Sequence, residues 1–391
     1  MIYLDNAATT PLRPGVLEAM LPFLSENFFN PSSVYAPARK VRAAVDDARG
    51  IVASAIGAKP DEIFFTSGGT ESNNWAIKGA LNGEKKHIVT TAIEHHAVLF
   101  VCKHLEKCGF EVTYLPVDGE GFANPADLEA AIRPDTALVS IILANNEVGT
   151  IQPIQQFAEI TARHGVTLHT DAVQAVGHFA TDVNELEVQM LSISAHKFGG
   201  PKGVGALFVK KGTPLFSLLQ GGAQERNRRA GTENVAGIIG MGAALSAAIE
   251  EMPAEFPRVT ALRDRLTREI LDKIPHTRLN GARENRLPGN VNISFRFIEG
   301  ESLLLHLDMQ NICASTGSAC SSGALEPSHV LMALGLDHEQ ANGALRFSLG
   351  AQNTDEEIDE LMKILSPAVK KLRALSPLYD DYLKTSGGAG F

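Results

Sequence analysis

Three short segments carry residues whose types and order can do chemistry. In Phe64-Phe-Thr-Ser-Gly-Gly-Thr-Glu-Ser-Asn-Asn-Trp-Ala-Ile-Lys78 a strand-like run passes through paired glycines into a helix-like start. Open N–H groups at a helix start, with small residues allowing close approach, attract an anion. Gly68, Gly69 and Thr70 can therefore hold a phosphate, although the segment alone equally suits a glycine turn with a Ser or Thr cap. It is not a nucleotide loop, since GxxxxGK[ST] is missing. In Thr167-Leu-His-Thr-Asp-Ala-Val-Gln174 an acid sits just past the carboxyl end of an apolar strand, the edge where open α/β sheets bind ligands. Asp171 can there face a cationic ring nitrogen and Gln174 a ring substituent; the plainer use of such an Asp is to cap the next helix. In Ser192-Ile-Ser-Ala-His-Lys-Phe-Gly-Gly-Pro-Lys202, Lys197 follows a mostly apolar strand and precedes a glycine-rich turn. A desolvated lysine amine serves as a Schiff-base nucleophile, whereas a solvated loop lysine does nothing chemical, which is the reading that fits Lys202. Phosphate cradle, pyridinium-facing acid and Schiff-base lysine on successive strand–helix edges jointly describe a pyridoxal phosphate site.

The four cysteines, at 102, 108, 313 and 320, include no CxxC pair, and give neither a disulfide framework nor a four-ligand zinc site. Cys320 lies in Ser315-Thr-Gly-Ser-Ala-Cys-Ser-Ser-Gly323, small residues without apolar periodicity, so an exposed and flexible loop is expected. A thiolate that must approach a substrate and then carry a group away needs such a loop. Cys313, in the apolar run Asn311-Ile-Cys-Ala314, reads as a buried small hydrophobe. Cys102 and Cys108, six apart on an expected helix, match no catalytic motif and read as structural.

These residues need a frame. From Val16 to about Pro253 short β-rich runs alternate with helical stretches, the pattern of a parallel sheet with crossover helices. Seven strands are expected: Ile63–Thr66, His87–Thr91, Val112–Leu115, Ala137–Ile142, Val166–Thr170, Leu191–Ser194 and Ala206–Val209. Several lack polar alternation, as buried strands do. From about Glu255 a second, smaller α+β unit opens with an amphipathic helix, Arg258 to Leu271, and passes through strand-like Val291–Phe297. A capping box at Thr354-Asp-Glu-Glu357 precedes apolar Ile358, Leu361 and Leu365, and Pro367 is expected to kink or end that helix. Thr385 to Phe391 reads as a mobile tail.

Composition closes off other classes. The chain has 391 residues, 44% apolar and 20% charged, with a formal charge of -10. That excludes disorder for most of the chain, and it leaves no basic stripe for nucleic acid. The longest charge-free apolar run, Ala236 to Ile249, is shorter than the roughly 18–20 residues of a membrane span, and its Gly and Ala suit close helix packing. The amino end, Met1-Ile-Tyr-Leu-Asp-Asn6, lacks the pattern of a secretory signal, so a cytoplasmic location is expected.

Nearly end to end, the chain resembles the cysteine desulfurases of the NifS/IscS type, within the class V aminotransferase-like, fold-type I pyridoxal phosphate enzymes. The resemblance is carried by Tyr3-Leu-Asp-Asn-Ala-Ala-Thr-Thr10, Asn30-Pro-Ser-Ser33, Thr66-Ser-Gly-Gly-Thr-Glu-Ser72, Glu94-His95, Asn145-Asn-Glu147, His169-Thr-Asp-Ala172, Ser194-Ala-His-Lys197, Arg229-Ala-Gly-Thr232, Ser315 to Ser321 and Arg346-Phe-Ser-Leu349. It is nearest the nitrogen-fixation branch through Gln224 to Asn234. It implies an α/β fold with a large pyridoxal-phosphate-binding domain at 15–254, built on a mainly parallel seven-stranded sheet. A smaller α+β domain, 1–14 with 255–391, would carry the cysteine loop. It also implies the reaction L-cysteine to L-alanine, with sulfur left as a persulfide on Cys320 and supplied to iron–sulfur cluster assembly.

Residue by residue, the resemblance makes Lys197 the cofactor lysine, Asp171 the partner of the ring nitrogen and Gln174 a contact to the phenolic oxygen. His95 would stack on the ring and move a proton near the thiol. Gly69, Thr70, Ser194 and His196 would hold the phosphate, and Thr232 would reach that of a neighbouring subunit in a homodimer. Asn146 would meet cofactor and substrate, and Arg346 would grip the substrate carboxylate through its planar fork. No resident metal is implied, only Cys320 as a transient iron–sulfur ligand. The long form of the loop before Cys320 goes with sulfur delivery to a scaffold protein of the NifU/IscU type. A selenocysteine lyase or a class V aminotransferase would use the same cofactor, and the Cys320 thiol separates them, since transamination needs none.

Overall fold

The computed structural model describes residues 1–81, 83, 85–316 and 327–386. Seven strands form the large sheet: β1 Ile63–Thr66, β2 His87–Thr91, β3 Glu111–Leu115, β4 Thr136–Ser140, β5 Thr167–Asp171, β6 Met190–Ser194 and β7 Gly205–Val209. Their order is β1-β7-β6-β5-β4-β2-β3. All seven expected strands are present, with ends moved by no more than two residues. The sheet is mainly parallel; β7 alone runs antiparallel to its neighbours β1 and β6. Alternate side chains feed apolar clusters on the two faces of the sheet, Phe64, Ile88 and Leu207 one, Phe65, Val89 and Phe208 the other, which together make the first core. Burial on both faces is why these strands read as apolar runs.

Strands β8, Asn290–Phe295, and β9, Ala344–Ser348, pair antiparallel, and Thr277–Leu279 adds to β8. Around them a separate core gathers Val291, Ile293, Leu345 and Phe347 with Leu262 and Leu266. Leu4 belongs to this second core, so the amino-terminal segment returns to the distant end of the chain.

Three helical expectations change. Ala236–Ile249 and Arg258–Leu271 are parts of one 39-residue helix, Val235–Lys273, which runs from the first core into the second and contains the boundary near 254. It passes Pro253 and Pro257 because both are exposed, so water can meet the carbonyls that lose their N–H partners. By length and composition this helix could cross a membrane, yet half of its most apolar window is buried within the protein. The helix Asp355–Arg373 has the expected capping box but continues beyond Pro367, which faces outward while Ala368 and Val369 are buried. Finally, Thr385 and Ser386 end a helix, Pro377–Ser386, and 387–391 lie outside the described residues.

Candidate active site

The carboxyl ends of the central strands deliver the chemistry to one edge. Asp171 ends β5, Ser194 ends β6, and Ala195–Lys197 forms a single 3-10 turn directly after it. Helix α1, Gly69–Ala80, opens two residues beyond β1, and His95 caps α2, His96–Lys107. A cavity of about 310 Å³ brings together Gly69, Thr70, His95, Asn146, Asp171, Gln174, Ser194, His196, Lys197 and Arg346. Of the twelve residues given a role through the resemblance, these ten line the cavity, Thr232 does not, and Cys320 lies outside the described residues.

Asp171 is held by two donors, Asn73 Nδ2 at 2.6 Å and the Val173 amide at 3.0 Å, which fix its carboxylate at the cavity wall. Lys197 Nζ donates to the carbonyls of Ala7 at 2.6 Å and Ala8 at 2.8 Å. Gln174 Nε2 donates to the same Ala7 oxygen at 2.8 Å. The Gly69 position is closed to larger residues, since a Cβ there would lie 2.6 Å from Val173 Cγ2. Gly68, at φ +148, makes the turn that brings the start of α1 to this edge.

Burial keeps the imidazoles neutral. His95 is held below the ordinary histidine range chiefly by desolvation, with Lys197 and Arg346 adding to it and Asp171 opposing. Its Nδ1 accepts the Ala97 amide at 3.1 Å, so the proton of the neutral ring sits on Nε2. His196 is pushed down to about 4 by burial and by Lys197 and Lys202, and its Nδ1 meets Thr9 Oγ1 at 3.1 Å.

Arg346, on β9, is 4% exposed and reaches the cavity from the second core. Its Nη1 donates to the Asn146 carbonyl at 3.1 Å and its Nη2 to Asp5 Oδ1 at 2.9 Å. The backbone of Arg346 bonds that of Ser315 in both directions, at 2.6 and 3.1 Å. Cys320 lies outside the described residues. Downstream of it, Ser328 donates to the buried Glu147 carboxyl, and His329 Nε2 lies 3.0 Å from the Glu94 carbonyl. Both described flanks of the cysteine segment thus lie against residues next to the cavity.

Thr232 lines a separate cavity of about 140 Å³ with Arg229, Gly203 and Ser67. The chain reaches it through Glu225, Arg226 and Asn227, all at positive φ. Glu225 compensates that conformation: it is buried, takes a two-pronged bond from Arg49 at 2.7 and 2.9 Å, and accepts the Phe65 amide.

The sequence reading missed Asp5, Asn73, Glu94, Glu147 and the Ala7 and Ala8 carbonyls. Asp5, Asn73, Glu94 and Glu147 all stood inside quoted segments, so their inclusion there was the available signal. Carbonyls have no signal in residue type. Among the other cysteines, Cys102 is buried with its thiol pushed up to about 12, Cys313 is only partly buried, and Cys108 is exposed beside His104.

Comparison with known proteins places this geometry. Residues 2–361 match the family model described as Aminotransferase class-V. A protein of Dictyoglomus turgidum named Cysteine desulfurase IscS is 57% identical over 384 residues, 97% of this chain and 98% of that one. One of the same name from Methanosarcina thermophila is 54% identical, over 98% and 96%. Among solved structures, a NifS-like protein superposes with a TM-score of 0.89 at 39% identity, covering 95% of this chain and all of the other. Another, SspA in complex with cysteine, has a TM-score of 0.79 at 38% identity, over 89% and 99%.

Proposed function

The chain belongs to the class-V aminotransferase family, and from that premise we propose that it is a pyridoxal-phosphate-dependent cysteine desulfurase. It converts L-cysteine to L-alanine, leaves the sulfur as a persulfide on Cys320, and supplies it to iron–sulfur cluster assembly. The observation that carries the reading is the meeting in one cavity of Lys197, Asp171 and Arg346, a lysine amine, a carboxylate and a guanidinium from three separate parts of the chain. The names of relatives matched over nearly their whole length favour it over the lyase and aminotransferase alternatives.

The residues present fit the cofactor. A small cradle closed at Gly69 adjoins the open N–H groups of the first turn of α1, suited to a phosphate. A carboxylate with two fixed donors stands across the cavity, suited to a ring nitrogen that carries a proton. Gly69, Thr70, Ser194 and His196 would hold the phosphate, Gln174 the ring oxygen, His95 the ring face, and Lys197 Nζ the covalent link. When bound, the cofactor supplies an electron sink for the substrate α-carbon.

The chain's own residues do the rest. Arg346 and Asn146 bind the substrate carboxylate end and so orient the amino acid toward Lys197. Lys197 Nζ, on the wall of the same cavity as Arg346, would move the proton at the substrate α-carbon. His95, with its proton on Nε2, stands ready to donate in the cavity. The Cys320 thiolate attacks the substrate sulfur, the S–S bond forms as the C–S bond breaks, and the bonding pair leaves with carbon, which gains a proton to become alanine.

A homodimer, in which Thr232 serves the second copy's phosphate, accounts for its placement in a separate cavity. The sulfur acceptor would be a scaffold protein of the NifU/IscU type, and the location cytoplasmic. The domains would divide as 15–254 and 1–14 with 255–391, in keeping with the two cores. One experiment tests the reading: incubation of the cofactor-loaded protein with cysteine and reductant, assaying alanine and sulfide together. Equal amounts of both support it. Transfer of the amino group to leave a 2-oxo acid that keeps its sulfur, without sulfide, would replace it with an aminotransferase.

A further inference from the structure

The pair formed by Arg346 and Asp5 raises a question that the proposed function leaves open. Arg346 is to hold a substrate carboxylate, yet one of its arms already holds a carboxylate of this chain, at 2.9 Å. The guanidinium is nearly fully buried, and its Nε–H has no hydrogen-bond partner although the residue lines the cavity. Leaving that buried donor unpaired is costly, so the guanidinium stays where its bonds to Asp5 and the Asn146 carbonyl place it. Both members of the pair are also fixed at the backbone. Arg346 is clamped to Ser315, while the Asp5 carbonyl accepts the Tyr3 hydroxyl at 3.0 Å and the Ala8 amide at 3.0 Å. Two and three residues beyond Asp5, the Ala7 and Ala8 carbonyls take the Lys197 amine.

We propose that Asp5 is a positioning residue: its carboxylate fixes one arm of Arg346 so that the guanidinium is held at the cavity wall, at a set distance from Lys197. The inference rests on the reading of Arg346 given above. It follows from the chemistry of an α-amino acid, whose carboxylate and amino groups are one carbon apart. The two protein groups that receive them must keep a constant separation, and the segment from Asp5 to Ala8 touches both.

The test uses the cofactor-loaded protein and follows the change in cofactor absorbance as an amine is added. L-cysteine and L-alanine carry the carboxylate; cysteamine does not. Asp5→Ala is expected to raise the concentrations of cysteine and alanine needed for half of the change about tenfold or more, the loss of one charge-assisted bond. Cysteamine should need the same concentration as before within about twofold, and turnover at saturating cysteine should hold, so that KM moves without kcat. Asp5→Asn, which keeps an oxygen for Nη2, should lie between the two. Equal effects on cysteine and cysteamine, or no effect on either, overturn the assignment. A wild-type protein whose absorbance answers to none of the three amines overturns the reading of the cavity itself, and the assignment with it.

Discussion

Ser328 gives its hydroxyl proton to Glu147 across 2.5 Å, and Glu147 is the sequence neighbour of Asn146 on the cavity wall. The same hydroxyl caps the helix His329–Ala333 by accepting the Leu331 amide. The Glu147 carbonyl meanwhile receives Asn290 and Asn292, both at 3.1 Å. One residue thus joins the wall of the cavity, strand β8 and the chain that follows the cysteine segment.

Burial pushes the Glu147 carboxyl up to about 7 from 4.5, with the Ser328 bond and Arg346 opposing. The folded protein therefore holds this proton more tightly than the unfolded chain does. The stability it contributes is complete below about 4.5 and is lost as pH rises through about 7, on the order of 3 kcal/mol in all. Glu147→Gln cannot titrate, so its thermal midpoint relative to wild type should improve between pH 5 and pH 8. An identical difference at both values would mean that Glu147 does not ionise in this range.

Lys197→Ala should remove the visible absorbance of the covalently held cofactor together with cysteine turnover. The side chain is half-buried and packs into none of the hydrophobic cores, so the circular dichroism spectrum should not change and the midpoint should fall by only about 3 °C. Turnover retained without added amines would show that another lysine serves.

Cys320→Ser replaces a thiol, which ionises near neutral pH, with a hydroxyl that stays protonated and cannot accept sulfur. The variant should give the absorbance change with cysteine and release almost no alanine. Alkylation and mass spectrometry after cysteine treatment of the wild type should place the persulfide on Cys320. Label on Cys108, the exposed thiol among the described residues, would name a different acceptor.

Thr232→Ala should weaken cofactor retention about tenfold, the worth of one hydrogen bond to a charged group, without moving the midpoint of the apoprotein, because Thr232 is exposed. Sedimentation should give a species of two 41.8 kDa chains. A monomer that retains cofactor normally would place Thr232 outside the site.

The sheet was legible because its strands are buried on both faces and bounded by turn residues, and the cavity was legible where a residue's type and its place at a strand end carry its chemistry, as with Lys197 and Asp171, whereas Arg346 came from the resemblance alone. The antiparallel β7 had a signal that went unread: only 195–204 separates it from β6, too short for a helical crossover. The long helix was misread because Pro253 and Pro257 look like breaks in a string of letters, while their exposure is a property of the packed molecule. Asp5 and the Ala7 and Ala8 carbonyls were hidden for another reason. The Asp5 partner lies 341 residues away, and no local pattern encodes a contact of that span.

That span bears on how the protein is made. A ribosome releases Asp5 through Ala8 long before β9, to which Asn6 and Ala7 bond through the Ser348 carbonyl and hydroxyl. The large sheet, complete by Val209, can assemble on the growing chain while Arg346 has yet to be translated. In a half-made chain the cavity therefore lacks Arg346, and the segment whose carbonyls hold the Lys197 amine has no Ser348 to fasten it.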